Sequence, residues 1–80
     1  MPLPEKILNC LFENARDNGA APPKDDDDLF RSGALDSFAL VDFVTLLEEQ
    51  CGIKVPDEDV IPANFKTIVA IENYVDRSRG

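Results

Sequence analysis

Histidine is absent from the 80-residue chain, and that omission narrows its chemistry. A serine that attacks a carbonyl needs a neighbouring base to take its proton, and histidine is the side chain most often used. Carboxylates spread over a solvated surface are weak bases at neutral pH and make a poor substitute. Basic residues are scarce too. Eight Lys and Arg stand against 16 Asp and Glu, a net charge of −8 that disfavours nucleic acid or an anionic membrane as partner and favours proteins with basic patches. No apolar run approaches the ~20 residues of a membrane span, and the first residues lack the apolar core of a secretory signal. The expectation is a cytoplasmic protein without membrane insertion. The two cysteines, Cys10 and Cys51, form no CxxC pair and have no histidine to join in a metal site, so both are expected as free thiols. The run Asp25 to Asp28 fails as a calcium loop, because Leu29, Phe30 and Asp36 occupy its fifth, sixth and twelfth positions. It reads as a solvated charge run, and no metal site is expected.

What is present is helical. Eighty residues allow one small core that buries about 60% of the unfolded surface, and 44% apolar content is enough to form it. A single domain over residues 1–80 is expected. Pro2 and Pro4 suit the approach to a first helix. Its apolar stripe is Ile7, Leu8, Leu11, Phe12 and Ala15, and Asn18-Gly19 ends it. Cys10 lies at the edge of that stripe. Residues 20 to 28 read as a loop stiffened by Pro22-Pro23, after which Leu29 and Phe30 return apolar side chains to the core. Pro56-Asp57-Glu58-Asp59 reads as the start of a helix that Pro62 cuts short, and Asn64 to Thr67 offer capping side chains. The final helix carries Ile68, Ile71 and Val75, with Tyr74 beside them and Arg77 and Arg79 at its negative end. The reading is all-α: a small four-helix bundle with a long first loop and a short third helix.

The stretch Gly33-Ala34-Leu35-Asp36-Ser37-Phe38 organises the rest. Asp36 is a preferred N-cap, and good helix formers follow it until Cys51-Gly52. Ser37 then lies in the first helical turn, where free N–H groups and the dipole favour an attached phosphate. Leu40, Val44, Leu47 and Cys51 share the core face. Phe38, Asp42, Thr45 and Glu49 share the opposite one, where Phe38 either folds back on the loop or awaits a partner. Ser37 belongs to no Gly-x-Ser-x-Gly elbow, and no Ser-x-x-Lys arrangement starts from it. It reads as a handle, and no catalytic residue is expected.

Leu29-Phe30, Gly33, Leu35-Asp36-Ser37 and the acidic, apolar helix after them resemble the acyl carrier protein family, with its peptidyl and aminoacyl carrier relatives. The resemblance spans about the whole chain and is most specific from Leu29 to roughly Val75. It implies an acyl-carrier-like bundle and a phosphopantetheine arm on Ser37, with Asp36 as its motif partner. It also implies an acyl or aminoacyl group held as a thioester on that arm. Phe38, Val41, Asp42, Thr45, Glu48 and Glu49 become partner-docking candidates. The implied partners are a phosphopantetheinyl transferase, an acyl- or aminoacyl-loading ligase, and a downstream acyltransferase or synthase with a basic docking patch. Phe38, Ala39 and the long segment Val60 to Ile68 depart from the fatty-acid-synthesis type and are more similar to specialised stand-alone carriers. The alternative is an unmodified acidic helical interaction module. A monomer is expected in either case.

Overall fold

A proline opens the first helix. In the computed structural model, which describes residues 3–79, Pro4 is the N-cap of α1 (Glu5–Asp17), and its carbonyl accepts hydrogen bonds from the N–H groups of Ile7 and Leu8. Pro2 and Gly80 lie outside the described residues. Ile7, Leu11 and Ala15 are fully buried, while Leu8, Phe12 and Cys10 are half-buried at the margins of the stripe. Gly19, at φ +75°, ends the helix: its N–H bonds the Arg16 carbonyl, and the Ala20 N–H reaches back to Ala15 at 2.8 Å.

The first connection is more ordered than a loop of charges suggests. Leu29 and Phe30 begin a one-turn helix, α2 (Leu29–Ser32), capped by Asp28, whose Oδ1 accepts from the N–H groups of Phe30 and Arg31. The Asp27 carboxylate accepts from the Lys24 N–H at 2.8 Å. Two members of the acidic run therefore have local structural work, which corrects the reading of all four as solvated charge. Backbone bonds fasten the segment at two points, Leu29 N–H to the Lys66 carbonyl at 2.7 Å and Val69 N–H to the Asp25 carbonyl at 3.1 Å.

The longest apolar face belongs to α3 (Ala39–Cys51). Leu40, Val44, Leu47 and Cys51 are buried as their spacing requires, and Phe43 widens the buried face. Gly52, at φ +66°, terminates it. Helix α1 packs on α3. Beyond α3 the boundaries shift from expectation: residues 57 to 59 make a single 3₁₀ turn, and α4 (Pro62–Phe65) starts at Pro62. Proline suits that N-terminal position because its missing N–H would have had no helical partner there. Pro62 is thus the beginning of the short helix rather than its terminator.

Helix α5 (Ile68–Arg79) closes the bundle against α4. The Thr67 hydroxyl accepts from the Ala70 N–H, as an N-cap does. Phe65, fully buried, joins the layers: its ring meets Phe43 edge-on at 6.5 Å and Tyr74 at 5.3 Å. One continuous core runs from Leu3 to Val75 and contains no buried charged or polar side chain among the described residues. The fold is an all-α, acyl-carrier-like bundle with a long first connection, in which short one-turn elements separate three longer helices.

Candidate functional site

The helix that carries the site is capped from within its own motif. Asp36 Oδ1 accepts the N–H of Phe38 at 2.9 Å and of Ala39 at 2.7 Å, while the Asp36 carbonyl accepts from Leu40. Phe38 already has helical dihedrals, φ −80° and ψ −41°, so helical geometry extends ahead of Ala39. Ser37 sits in the turn between the Asp36 cap and Phe38, just ahead of α3 rather than inside its first turn as expected, and it is exposed. Among the described residues its hydroxyl has no hydrogen-bond partner. A second expectation changes here: the N–H groups of Phe38 and Ala39, read as free for a phosphate, are already held by the Asp36 carboxylate. The helix dipole still favours an anion at this end.

The approach to Ser37 is buried and anchored. Ala34 and Leu35 are 0% and 1% exposed, and the Leu35 N–H bonds the Leu29 carbonyl at 3.0 Å. Gly33 takes a left-handed φ of +86°. From the last turn of α1, Asn14 Nδ2 donates to the Ala34 carbonyl at 3.2 Å, and from the C-cap of that helix Asn18 Nδ2 donates to the Gly33 carbonyl at 3.0 Å. Sequence reasoning used Asn18 only as part of the signal that ends α1 and gave Asn14 no role at the site. Their spacing of four on one helix was the only signal, and their acceptors lie 20 and 15 residues away.

The outer face of α3 carries the other sequence-derived site residues. Phe38 is 92% exposed and Val41 61%, one turn apart. Asp42, Thr45 and Glu49 are exposed alongside them, and the Thr45 hydroxyl donates to the Val41 carbonyl. Phe38 does not fold back on the loop. Glu48 stands apart from this group. It is half-buried, its Oε2 accepts from the Val55 N–H at 2.9 Å, and its backbone carbonyl accepts from Gly52 and Ile53. Glu48 thus ties the turn after α3 to its helix. Val41, Val44, Thr45, Glu48, Val55, Asp57 and Val60 line an open groove of about 310 Å³ beside the exposed face.

Neither cysteine belongs to this site. Burial pushes both thiols above their ordinary value of 9.0, with the negative charge of Glu13 adding to the effect at Cys10. Both are free, and the protonated thiol is a poor nucleophile. Among the described residues no cluster of His, Cys, Asp or Glu could hold a metal ion, and no helix is long and apolar enough to cross a membrane.

The site is thus an exposed serine with an unengaged hydroxyl, at the capped start of a helix and flanked by exposed apolar and acidic side chains. A family model described as the phosphopantetheine attachment site matches residues 7–75, and the chain belongs to that family. Members carry a covalently attached phosphopantetheine group and act as carriers that modifying and biosynthetic enzymes engage. Comparison with curated proteins and with solved structures gave no match.

Proposed function

We propose that Ser37 bears the phosphopantetheine arm and that the chain carries an acyl or aminoacyl group in a specialised biosynthetic pathway. The observation that carries this reading is the exposed, unpartnered Ser37 hydroxyl in the capped turn that leads into α3, within a chain of a phosphopantetheine-carrying family. The residues present fit the group, since a phosphodiester needs an accessible hydroxyl and a backbone that holds it in place. In the modification, Ser37 Oγ bonds to the phosphorus next to the pantetheine of coenzyme A. The pyrophosphate P–O bond breaks, adenosine 3′,5′-bisphosphate leaves, and the hydroxyl proton passes to a base on the transferase. When attached, the arm supplies a thiol for thioester formation, which is why neither cysteine of the chain is needed.

The chain's own residues present and are recognised. Asp36 fixes the turn under Ser37. Phe38 and Val41 offer exposed apolar area, and Asp42, Thr45 and Glu49 surround it with polar and acidic groups suited to a basic patch on a phosphopantetheinyl transferase, a loading ligase and a downstream acyltransferase or synthase. Glu48 borders this face as a further docking residue, although half-buried, and its bond to Val55 steadies the neighbouring turn. The reading assigns the chain no catalytic step of its own and treats residues 1–80 as one cytoplasmic, monomeric carrier domain.

Proteolytic mapping after incubation with coenzyme A and a broad-specificity transferase tests the site. The added mass is expected on the peptide that contains Ser37. Its recovery on a peptide containing only Ser32 or Ser78 overturns the assignment.

A further inference from the structure

We propose that Asn14 and Asn18 are positioning residues for the modification of Ser37: through the Gly33 and Ala34 carbonyls they fix where the hydroxyl stands. The inference rests on the reading of Ser37 as the attachment point. The Ser37 and Phe38 side chains are exposed, so only the backbone that leads to them can set the hydroxyl's place. The Asp36 bonds are local to α3 and travel with that helix. Fixing the approach from outside α3 falls to the buried Ala34 and Leu35 side chains, to the Leu35–Leu29 backbone bond, and to the side-chain amides of Asn14 in α1 and Asn18 at its C-cap, which alone of these hold the Gly33 and Ala34 carbonyls.

The arrangement is specific in both chemistry and fit. Asn18 Nδ2 bonds the Gly33 carbonyl at 3.0 Å and the Asn14 carbonyl at 2.8 Å, and both acceptors are oxygens that only the amide nitrogen can serve. Asn14 Nδ2 bonds the Ala34 carbonyl at 3.2 Å, so the two amides grip consecutive peptide groups. Gly33 lies so close that a Cβ placed on it would come within 2.9 Å of Asn18 Cβ. The Asn18 bonds are exposed, and α1 is already held by the fully buried Ile7, Leu11 and Ala15. Exposed bonds of this kind add little to net stability, so their effect falls on placement. A displacement of about 1 Å at a reacting group is enough to slow a positioned reaction by up to about 100-fold.

The test follows arm installation by intact mass in single turnovers, with the apo carrier limiting and a broad-specificity phosphopantetheinyl transferase varied at saturating coenzyme A. Asn14→Ala, Asn18→Ala, the double variant and the donor-lacking isosteres Asn14→Asp and Asn18→Asp are compared with the parent chain. Misplacement of the hydroxyl lowers the maximal rate, by about tenfold in the double variant, and leaves the half-saturating transferase concentration unchanged. A merely structural role does the reverse: a smaller folded fraction raises the half-saturating concentration and spares the maximal rate. That result, or parental kinetics in every asparagine variant, overturns the inference. Exposed Asn18→Ala supplies the answer if the double variant does not fold. Ser37→Ala separates the two levels. If it still gains the arm, the reading of Ser37 fails; if it gains none while the asparagine variants load normally, the inference fails alone.

Discussion

The Tyr74 hydroxyl donates a 2.7 Å hydrogen bond to Asp59 Oδ2, joining α5 to the 3₁₀ turn that precedes α4. Arg77 stacks over the same ring, 5.6 Å from its centroid, so the tyrosine is held from two sides. Through this bond the last helix braces the segment containing Asp57 and Val60, which forms one wall of the groove beside α3.

This contact predicts an alkaline dependence. Burial, then the hydrogen bond and charge of Asp59, push Tyr74 above its ordinary 10.0. The folded state therefore holds the proton more tightly than the unfolded chain. The associated stability is complete below about pH 10 and is lost as pH rises through the folded value. Tyr74 is the only tyrosine and there is no tryptophan, so the ultraviolet tyrosinate signal reports it alone. Its midpoint should lie higher in the native protein than in urea. Tyr74→Phe should cost about 1 to 2 kcal/mol at neutral pH, with the gap narrowing above pH 10. A native midpoint at or below the unfolded one would contradict this account.

Gly33 and Gly19 share a positive φ but differ in their surroundings. A Cβ at Gly19 meets nothing within 4 Å, whereas at Gly33 it collides with Asn18. Gly19→Ala should cost about 1 kcal/mol from backbone strain alone, and Gly33→Ala distinctly more. Urea unfolding of the two variants measures the difference, and equal costs would show that Asn18 moves aside freely.

Glu48 and Glu49 are neighbours in sequence with different work. Glu48→Ala leaves the Val55 N–H without its acceptor and should lose about 1 kcal/mol. Glu49→Ala, at an exposed position, should stay within about 0.5 kcal/mol of the parent. The comparison of denaturation midpoints checks this, and a neutral Glu48→Ala removes the claim that Glu48 secures the turn.

The exposed face should affect partners and spare the fold. Phe38→Ala removes an almost fully exposed ring and should change stability by less than about 0.5 kcal/mol while slowing arm installation. Asp42→Lys should slow installation most at low salt, the difference from the parent shrinking as added salt screens the charge. Unchanged rates for both variants at low ionic strength would remove this face from the docking surface.

How legible these features were depended on whether the signal was local. Leu40, Val44, Leu47 and Cys51 revealed α3 because a stripe over three turns is periodic, and Asp36 located its start because capping acts within three residues. The same wheel put Phe38 opposite the core face but left open whether its ring folds back on the loop, which only the structure decides. Helix α2 escaped because four residues contain no period, and its cap, Asp28, was concealed among identical neighbours. Pro62 was ambiguous in principle, since proline both ends helices and begins them. The bonds from Asn14 and Asn18 join distant stretches of chain through backbone carbonyls, which every residue has, so no residue pattern announces them.

The most direct measurement of the central claim is the intact mass of the apo protein after incubation with coenzyme A and a broad-specificity phosphopantetheinyl transferase, beside Ser37→Ala treated identically. The account predicts a gain of one phosphopantetheine by the parent chain, none by Ser37→Ala, and the same helix content in both by circular dichroism. A gain retained by Ser37→Ala, or no gain by the correctly folded parent with several such transferases, would contradict it.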